Sequence, residues 1–213
     1  MKNLRLLFTL LFVAAFATVG FGQNIAGSAH DFSGATWNTS IGDQICIVCH
    51  TPHNATPVSG AVLWNRLETA ATFTPYTSGT MTATAGAPSG TSLLCLSCHD
   101  GTIALEDFGG ATGGTNYVAN PIGDVTLGVG DLSNDHPISF TYDATLATND
   151  GGLYDPTIQL SGMPGGGTID DDLLNAGSLE CASCHDVHDS EGLPSLLKID
   201  NAGSALCLTC HNK

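Results

Sequence analysis

The eight cysteines of this chain fall into four motifs of one form, Cys46-x-x-Cys49-His50, Cys95-x-x-Cys98-His99, Cys181-x-x-Cys184-His185 and Cys207-x-x-Cys210-His211, and none is left over. Two residues between paired thiols, with an imidazole next in line, is the attachment pattern of c-type haem. The thiols reach two vinyl groups along one edge of a porphyrin, and the imidazole comes to lie beneath the iron. Competing chemistries leave the histidines unexplained. A disulfide framework suits an exported chain with eight cysteines but gives no reason for a histidine after every pair. Zinc sites use Cys-x-x-Cys pairs yet do not need that trailing histidine four times. A thioredoxin-like redox pair occurs once, beside a βαβ unit. The motifs predict four haem c groups, attached through Cys46, Cys49, Cys95, Cys98, Cys181, Cys184, Cys207 and Cys210. His50, His99, His185 and His211 are the expected proximal iron ligands.

A six-coordinate haem iron takes a second axial ligand. Four further histidines are present, His30, His53, His136 and His188, one for each expected iron. Methionine is the rival distal ligand, but beyond the N-terminal leader only Met81 and Met163 remain. Bis-histidine ligation at every iron is therefore expected. It lowers the potential relative to Met/His ligation, and it leaves no open position for nitrite, peroxide or oxygen. That favours an electron carrier over an enzyme. His53 follows His50, and His188 follows His185, too closely to reach the far face of the same haem. Each must serve another iron. The internal repeat assigns His188 to the haem at Cys207 and Cys210; His30 and His136 each lie upstream of a module, and His30 is given to the first haem.

The elements that must position these residues are short. Gly and Pro, 26 and nine in number, punctuate nearly every segment and leave little hydrophobic periodicity. The expected fold is mostly irregular coil with short helices at the haem motifs, a multihaem cytochrome c fold whose core is made of stacked haems. Helices are expected over 92–99, 202–212 and 58–67, and a short strand near 138–142. A weak repeat joins Cys49-His50-Thr51-Pro52-His53 to Cys184-His185-Asp186-Val187-His188, and Leu94-Cys95-Leu96-Ser97-Cys98-His99 to Leu206-Cys207-Leu208-Thr209-Cys210-His211. It divides one tetrahaem domain, 23–213, into two-haem modules at about 23–110 and 136–213. The Asp170-Asp171-Asp172 run reads as a solvated loop, since no EF-hand spacing surrounds it. Trp64 and Arg66 could pack on a haem or meet a propionate, and a purely structural role explains them equally well.

Lys2 and Arg5 precede an apolar run from Leu6 to Val19, and Gly20-Phe21-Gly22 offers small residues for cleavage, so residues 1–22 read as a signal peptide. Export follows, to the extracellular space or cell surface, with the periplasm as the alternative. No other stretch is apolar enough for a membrane span. All 20 acidic residues lie beyond the leader, against Arg66, Lys198 and Lys213. Nucleic-acid binding needs clustered Lys and Arg, and none is present.

The doubled motifs resemble those of multihaem cytochromes from metal-respiring bacteria. The resemblance is closer to the OmcE type, outer-surface tetrahaem cytochromes that polymerise into extracellular nanowires. It rests on 27–31, 46–53, Leu63-Trp64-Asn65-Arg66, 94–102, Asp135-His136-Pro137-Ile138 and 181–213. What it implies is a coil-dominated fold, a continuous row of haems, and a head-to-tail homopolymer in which one axial histidine, His53 first and His30 second, crosses a subunit boundary. Redox-partner cytochromes or extracellular acceptors would exchange electrons with it. The Asp-rich segment 143–175 matches nothing in that pattern. A monomeric periplasmic or surface shuttle fits the same residues, and an oxyanion reductase is the third alternative.

Overall fold

The computed structural model describes residues 25–41, 44–123 and 128–212; the expected leader at 1–22 lies outside them. Along the chain come 3₁₀ turns at Thr36–Ile41 and Cys46–Val48, strand β1 (Thr72–Thr74), helix α1 (Gly90–His99), and strands β2 (Val129–Asp131) and β3 (Phe140–Thr141). Helices α2 (Ala144–Asp150) and α3 (Ile169–Asp172), strand β4 (Ser178–Leu179), helix α4 (Cys181–Cys184), 3₁₀ turns at Pro194–Leu196 and Ala202–Ser204, and helix α5 (Ala205–Cys210) complete the order. β1 pairs in parallel with β2, and β3 antiparallel with β4. The fold is mostly coil with few short helices and small sheets, as the glycine-rich sequence implies.

The expected helix over 92–99 is present as α1, begun two residues earlier. The expected helix over 202–212 is shortened to α5, because Ser204 sits at φ +64° and breaks it from the preceding 3₁₀ turn. The strand expected near 138–142 is β3. No helix forms over 58–67. That segment spends its backbone groups on the first motif instead: Thr51 N–H donates to the Leu63 carbonyl at 2.8 Å, and Asn65 N–H to the Cys49 carbonyl at 2.9 Å. Leu63 takes φ +54° to make the bend.

A side-chain core exists that the composition hides. Tyr142, Ala147, Ile169, Leu173 and Leu179 are buried together, with Phe140, Leu146, Leu153, Met163 and Cys210 packed around them. The Asp-rich segment builds most of it. Asp143 opens α2 by accepting the Leu146 N–H at 2.8 Å, and Gly151 closes it at φ +70°, a left-handed position that glycine occupies without strain. In α3 the Thr168 hydroxyl accepts the Asp171 N–H while the Asp171 carboxylate accepts the Thr168 N–H, a reciprocal cap. The acidic run expected to be a loop is thus a one-turn helix. It turns Asp170 and Asp171 to solvent and buries Ile169 and Leu173 on its other side. The Tyr142 hydroxyl donates to the Tyr154 carbonyl at 2.6 Å, and the Tyr154 N–H donates to the Cys210 carbonyl at 2.9 Å, fastening this core to the fourth motif.

Ile169 is fully buried. Ile169→Ala should cost about 2–5 kcal/mol of stability, read as an earlier midpoint in chemical denaturation of the haem-loaded protein. An unchanged midpoint would mean this cluster is not a structural core.

Candidate haem site

Each motif is wound so that its second-turn histidine returns over its first cysteine. The N–H groups of His50, His185 and His211 donate to the carbonyls of Cys46, Cys181 and Cys207 at 2.8, 3.1 and 3.0 Å. This one-turn spacing puts thiol and imidazole on the same side of the coil. The second motif achieves it on α1, which is anchored by buried Leu94 and Leu96. The first motif has no helix to stand on. Val48 is buried beneath it, and the 62–66 segment runs alongside, with His50 and Trp64 in an antiparallel bridge. The Asn65 side-chain amide donates to the Ile47 carbonyl, and the Asn65 carbonyl accepts the Gly109 N–H at 2.9 Å.

All eight thiols are free. They lie close to one another from motif to motif. Burial pushes the Cys49 thiol up to about 11, and the nearby Cys98 adds to the effect. The Cys95 thiol donates to Cys181, which raises Cys95 well above the usual thiol range and brings Cys181 down to about 7. Burial also pushes Cys210 up to about 11, with Cys184 and Cys207 contributing. The first motif therefore neighbours the second, the second the third, and the third the fourth.

The imidazoles meet in pairs. His30 and His99 have ring centroids 5.9 Å apart, His50 and His188 6.2 Å, and His136 and His211 6.4 Å. Every pair joins one histidine of a Cys-x-x-Cys-His motif to one of the four others. His30 lies beside the second motif rather than the first, and His188 beside His50 rather than the last motif. The internal repeat does not anticipate the position of the His188 ring, because sequence similarity between modules does not fix which module lies opposite. His53 and His185 are both exposed, and among the described residues neither ring stacks on another imidazole. His185 is still near enough to His30 and His99 to lower their pKa.

The donor set fits iron. Nδ1 of His50, His136 and His185 contacts the backbone carbonyls of Val62, Pro137 and Ser195 at 2.7, 2.9 and 2.9 Å. Carbonyls at Nδ1 fix the tautomer and orient Nε2 for a metal, the usual outer support of a ligating histidine. His30 Nδ1 is buried without a hydrogen-bond partner. Burial, followed by the charges of His99, His188 and His185, lowers the His30 pKa, and burial does the same for His99. The lowering favours the neutral imidazole in both, the form that ligates a metal.

A family model for the doubled CXXCH motif matches residues 174–213, which span the third and fourth motifs. This is the signature of a multihaem c-type cytochrome. CXXCH motifs of this kind hold haem c covalently, and proteins built on them are in general electron carriers. No curated protein matches the chain.

Sequence reasoning passed over three buried polar residues at this site. Asn65 props the first motif, Asp100 follows His99 and accepts from the Thr69 and Thr102 hydroxyls, and Glu180 precedes Cys181. Asp100 and Glu180 adjoin a motif in sequence and Asn65 does not, and nothing in residue type marks any of the three as buried. Arg66 is buried too. Its Nη1 and Nη2 donate to the Leu105 and Ala104 carbonyls at 2.8 and 2.7 Å, and its Nε is buried without a partner. Trp64 Nε1 is likewise buried and unpartnered.

Asn65→Ala would strand the Ile47 carbonyl beside the first motif. The expected cost is about 1–3 kcal/mol, measured by denaturation of the haem-loaded protein, with covalent haem elsewhere in the chain unchanged by peptide mapping. A midpoint equal to the parent would show that Asn65 does not support this motif.

Proposed function

We propose that the chain is a tetrahaem electron carrier in which each iron is held between two histidine imidazoles. The observation that carries this is the set of three imidazole pairs. Metal–imidazole bonds are about 2 Å long, so rings bound on opposite sides of one iron have centroids roughly 6 Å apart. The pairs His30–His99, His50–His188 and His136–His211 have that separation. Haem c, when bound, supplies a one-electron couple at the iron. The protein's part is to attach it by thioethers through Cys46 and Cys49, Cys95 and Cys98, Cys181 and Cys184, and Cys207 and Cys210. The paired imidazoles would hold the iron from both sides and would keep small oxyanions away from it, which is why electron transfer is favoured over oxyanion reduction. Thiols that adjoin from motif to motif support a continuous row of haems.

Subtraction leaves His53 and His185 for the remaining iron. The same-chain alternative, in which His53 serves the second haem, loses support because His30 already faces His99. His53 instead lines an open cavity of about 570 Å³ with Asn65, Arg66, Asp107 and Gly109, where its exposed ring is available to another molecule. In the proposed assembly, His53 of one subunit ligates the iron above His185 of the next, a head-to-tail contact that propagates as an open filament. The leader at 1–22 and the acidic surface suit an extracellular location for such a conduit. A monomeric shuttle uses the same four haems but needs another distal partner for His185.

Two measurements follow. Intact-mass analysis of the denatured protein should retain four haem additions, and three or fewer would refute the count. His53→Ala protein should lose filaments in negative-stain images that the parent forms. If the variant still polymerises with every iron six-coordinate, His53 does not cross the boundary.

A further inference from the structure

Glu180 is 3 % exposed, yet it bears a carboxylate with no cation bonded to it. The described basic residues, Arg66 and Lys198, are committed elsewhere, to the Ala104 and Leu105 carbonyls and to the Asp172 carbonyl. Three serine hydroxyls hold Glu180 in place. Ser89 donates to Oε1 at 3.2 Å, Ser139 to Oε2 at 2.9 Å, and Ser92 also to Oε2. Ser92 in turn accepts the Cys181 N–H at 2.9 Å, and Ser183 accepts the Glu180 N–H at 2.9 Å. Ser89 directly precedes α1, which carries Cys95, and Glu180 directly precedes α4, which begins at Cys181. The carboxylate is therefore fixed in the seam between the second and third motifs.

Neutral hydroxyls orient a buried carboxylate but supply no opposite charge. Taking an anion out of water costs several kcal/mol even after relaxation, and an uncompensated one is rare. The other end of α1 is arranged differently. There the Cys98 thiol, raised first by burial, also feels Arg66 and Asp100, whose charges act on it in opposite directions. At the Cys95–Cys181 end the Glu180 carboxylate acts on both thiols without such a cation. An oxidised haem iron held by the adjoining motifs would bring the missing positive charge.

We propose that Glu180 is the potential-setting residue of this cytochrome, a fixed buried anion that stabilises the oxidised state of the haems attached through Cys95 and Cys181 and holds their potentials below what the same ligands would otherwise give. In the low dielectric of the seam its interaction with ferric iron is weakly screened. When one electron arrives from a donor, ferric iron becomes ferrous, no bond is made or broken, and Glu180 loses part of its counter-charge. Reduction at these two haems is thereby disfavoured. Glu180 acts through the haems and is a positioning residue for charge, not a ligand. The inference rests on haem attachment at all four motifs.

The test is anaerobic spectroelectrochemical titration of full-length, haem-loaded protein, with haem counted by intact mass for every variant. Glu180→Gln keeps the shape and removes the charge. It should raise one or two of the four titration steps by on the order of tenfold in the reduction equilibrium, ~59 mV for one electron, with the others unmoved. Glu180→Asp keeps the charge and should stay near the parent, although its shorter side chain loosens the serine contacts. Should Glu180→Gln fail to accumulate, Ser139→Lys places a cation against the intact carboxylate and should raise the same steps. Four haems with unmoved potentials in Glu180→Gln or Ser139→Lys would overturn the inference, as would Glu180→Asp shifting as far as Glu180→Gln. Fewer than four haems in the parent would overturn the tetrahaem reading on which it stands.

Discussion

Two imidazoles that share a metal must face each other across a fixed gap, and that gap has to be set by backbone drawn from distant parts of the chain. His30 comes from an N-terminal turn and His99 from the end of α1. His50 belongs to the first motif and His188 follows the third. His136 precedes β3 and His211 follows α5. Holding these rings at 5.9–6.4 Å ties the N-terminal turn to the second motif, the first motif to the third, and the middle of the chain to the last. Little regular structure is left to do this. Among the described residues the longest helix is α1, and the sheets are two-stranded. Coil suffices because a ligand pair constrains a loop much as a helix does, by fixing its ends.

The rest of the architecture supports that arrangement locally. Where a motif lacks a helix, neighbouring chain replaces it. The 62–66 segment lies against the first motif, its backbone bonded to Thr51 and Cys49, and Val62 holds Nδ1 of His50. Leu197 and Ser195 do the same for His185 by a bridge and a carbonyl contact. The fourth motif rests on the Tyr142–Ile169–Leu173 cluster through Tyr154. Buried side chains organise part of this chain, and in the proposed arrangement the ligand pairs would organise the rest; neither alone would order so many glycines.

Residue chemistry was more legible in the sequence than chain path. The motifs are local, so the expectation of haem attachment could be drawn from them without the fold, and the family match at 174–213 supports it for the third and fourth. The α1 helix was visible because Leu94 and Leu96 sit beside the second motif. Chain path was not, since it depends on which loop meets which. The repeat between modules suggested that His188 would meet the fourth motif, whereas its ring lies beside His50. The 58–67 stretch looked helical because its apolar residues cluster, but its backbone hydrogen bonds go to the first motif. The Asp-rich segment concealed its core in single apolar residues, Ile169 and Leu173, separated by three aspartates, a one-turn spacing too brief to register as periodicity. Glu180 carried no signal at all, because burial of a lone carboxylate follows from tertiary packing.

The proposed pairing has a direct physical consequence for electron transfer. Ligands exchanged between modules bring their porphyrins near each other, so the path for electrons and the path for structural constraint become the same set of bonds. The most direct measurement is a structure of the haem-loaded protein with each iron located. It should place single irons between His30 and His99, between His50 and His188, and between His136 and His211. An iron bound by His188 together with His211, or by His30 together with His50, would contradict the account.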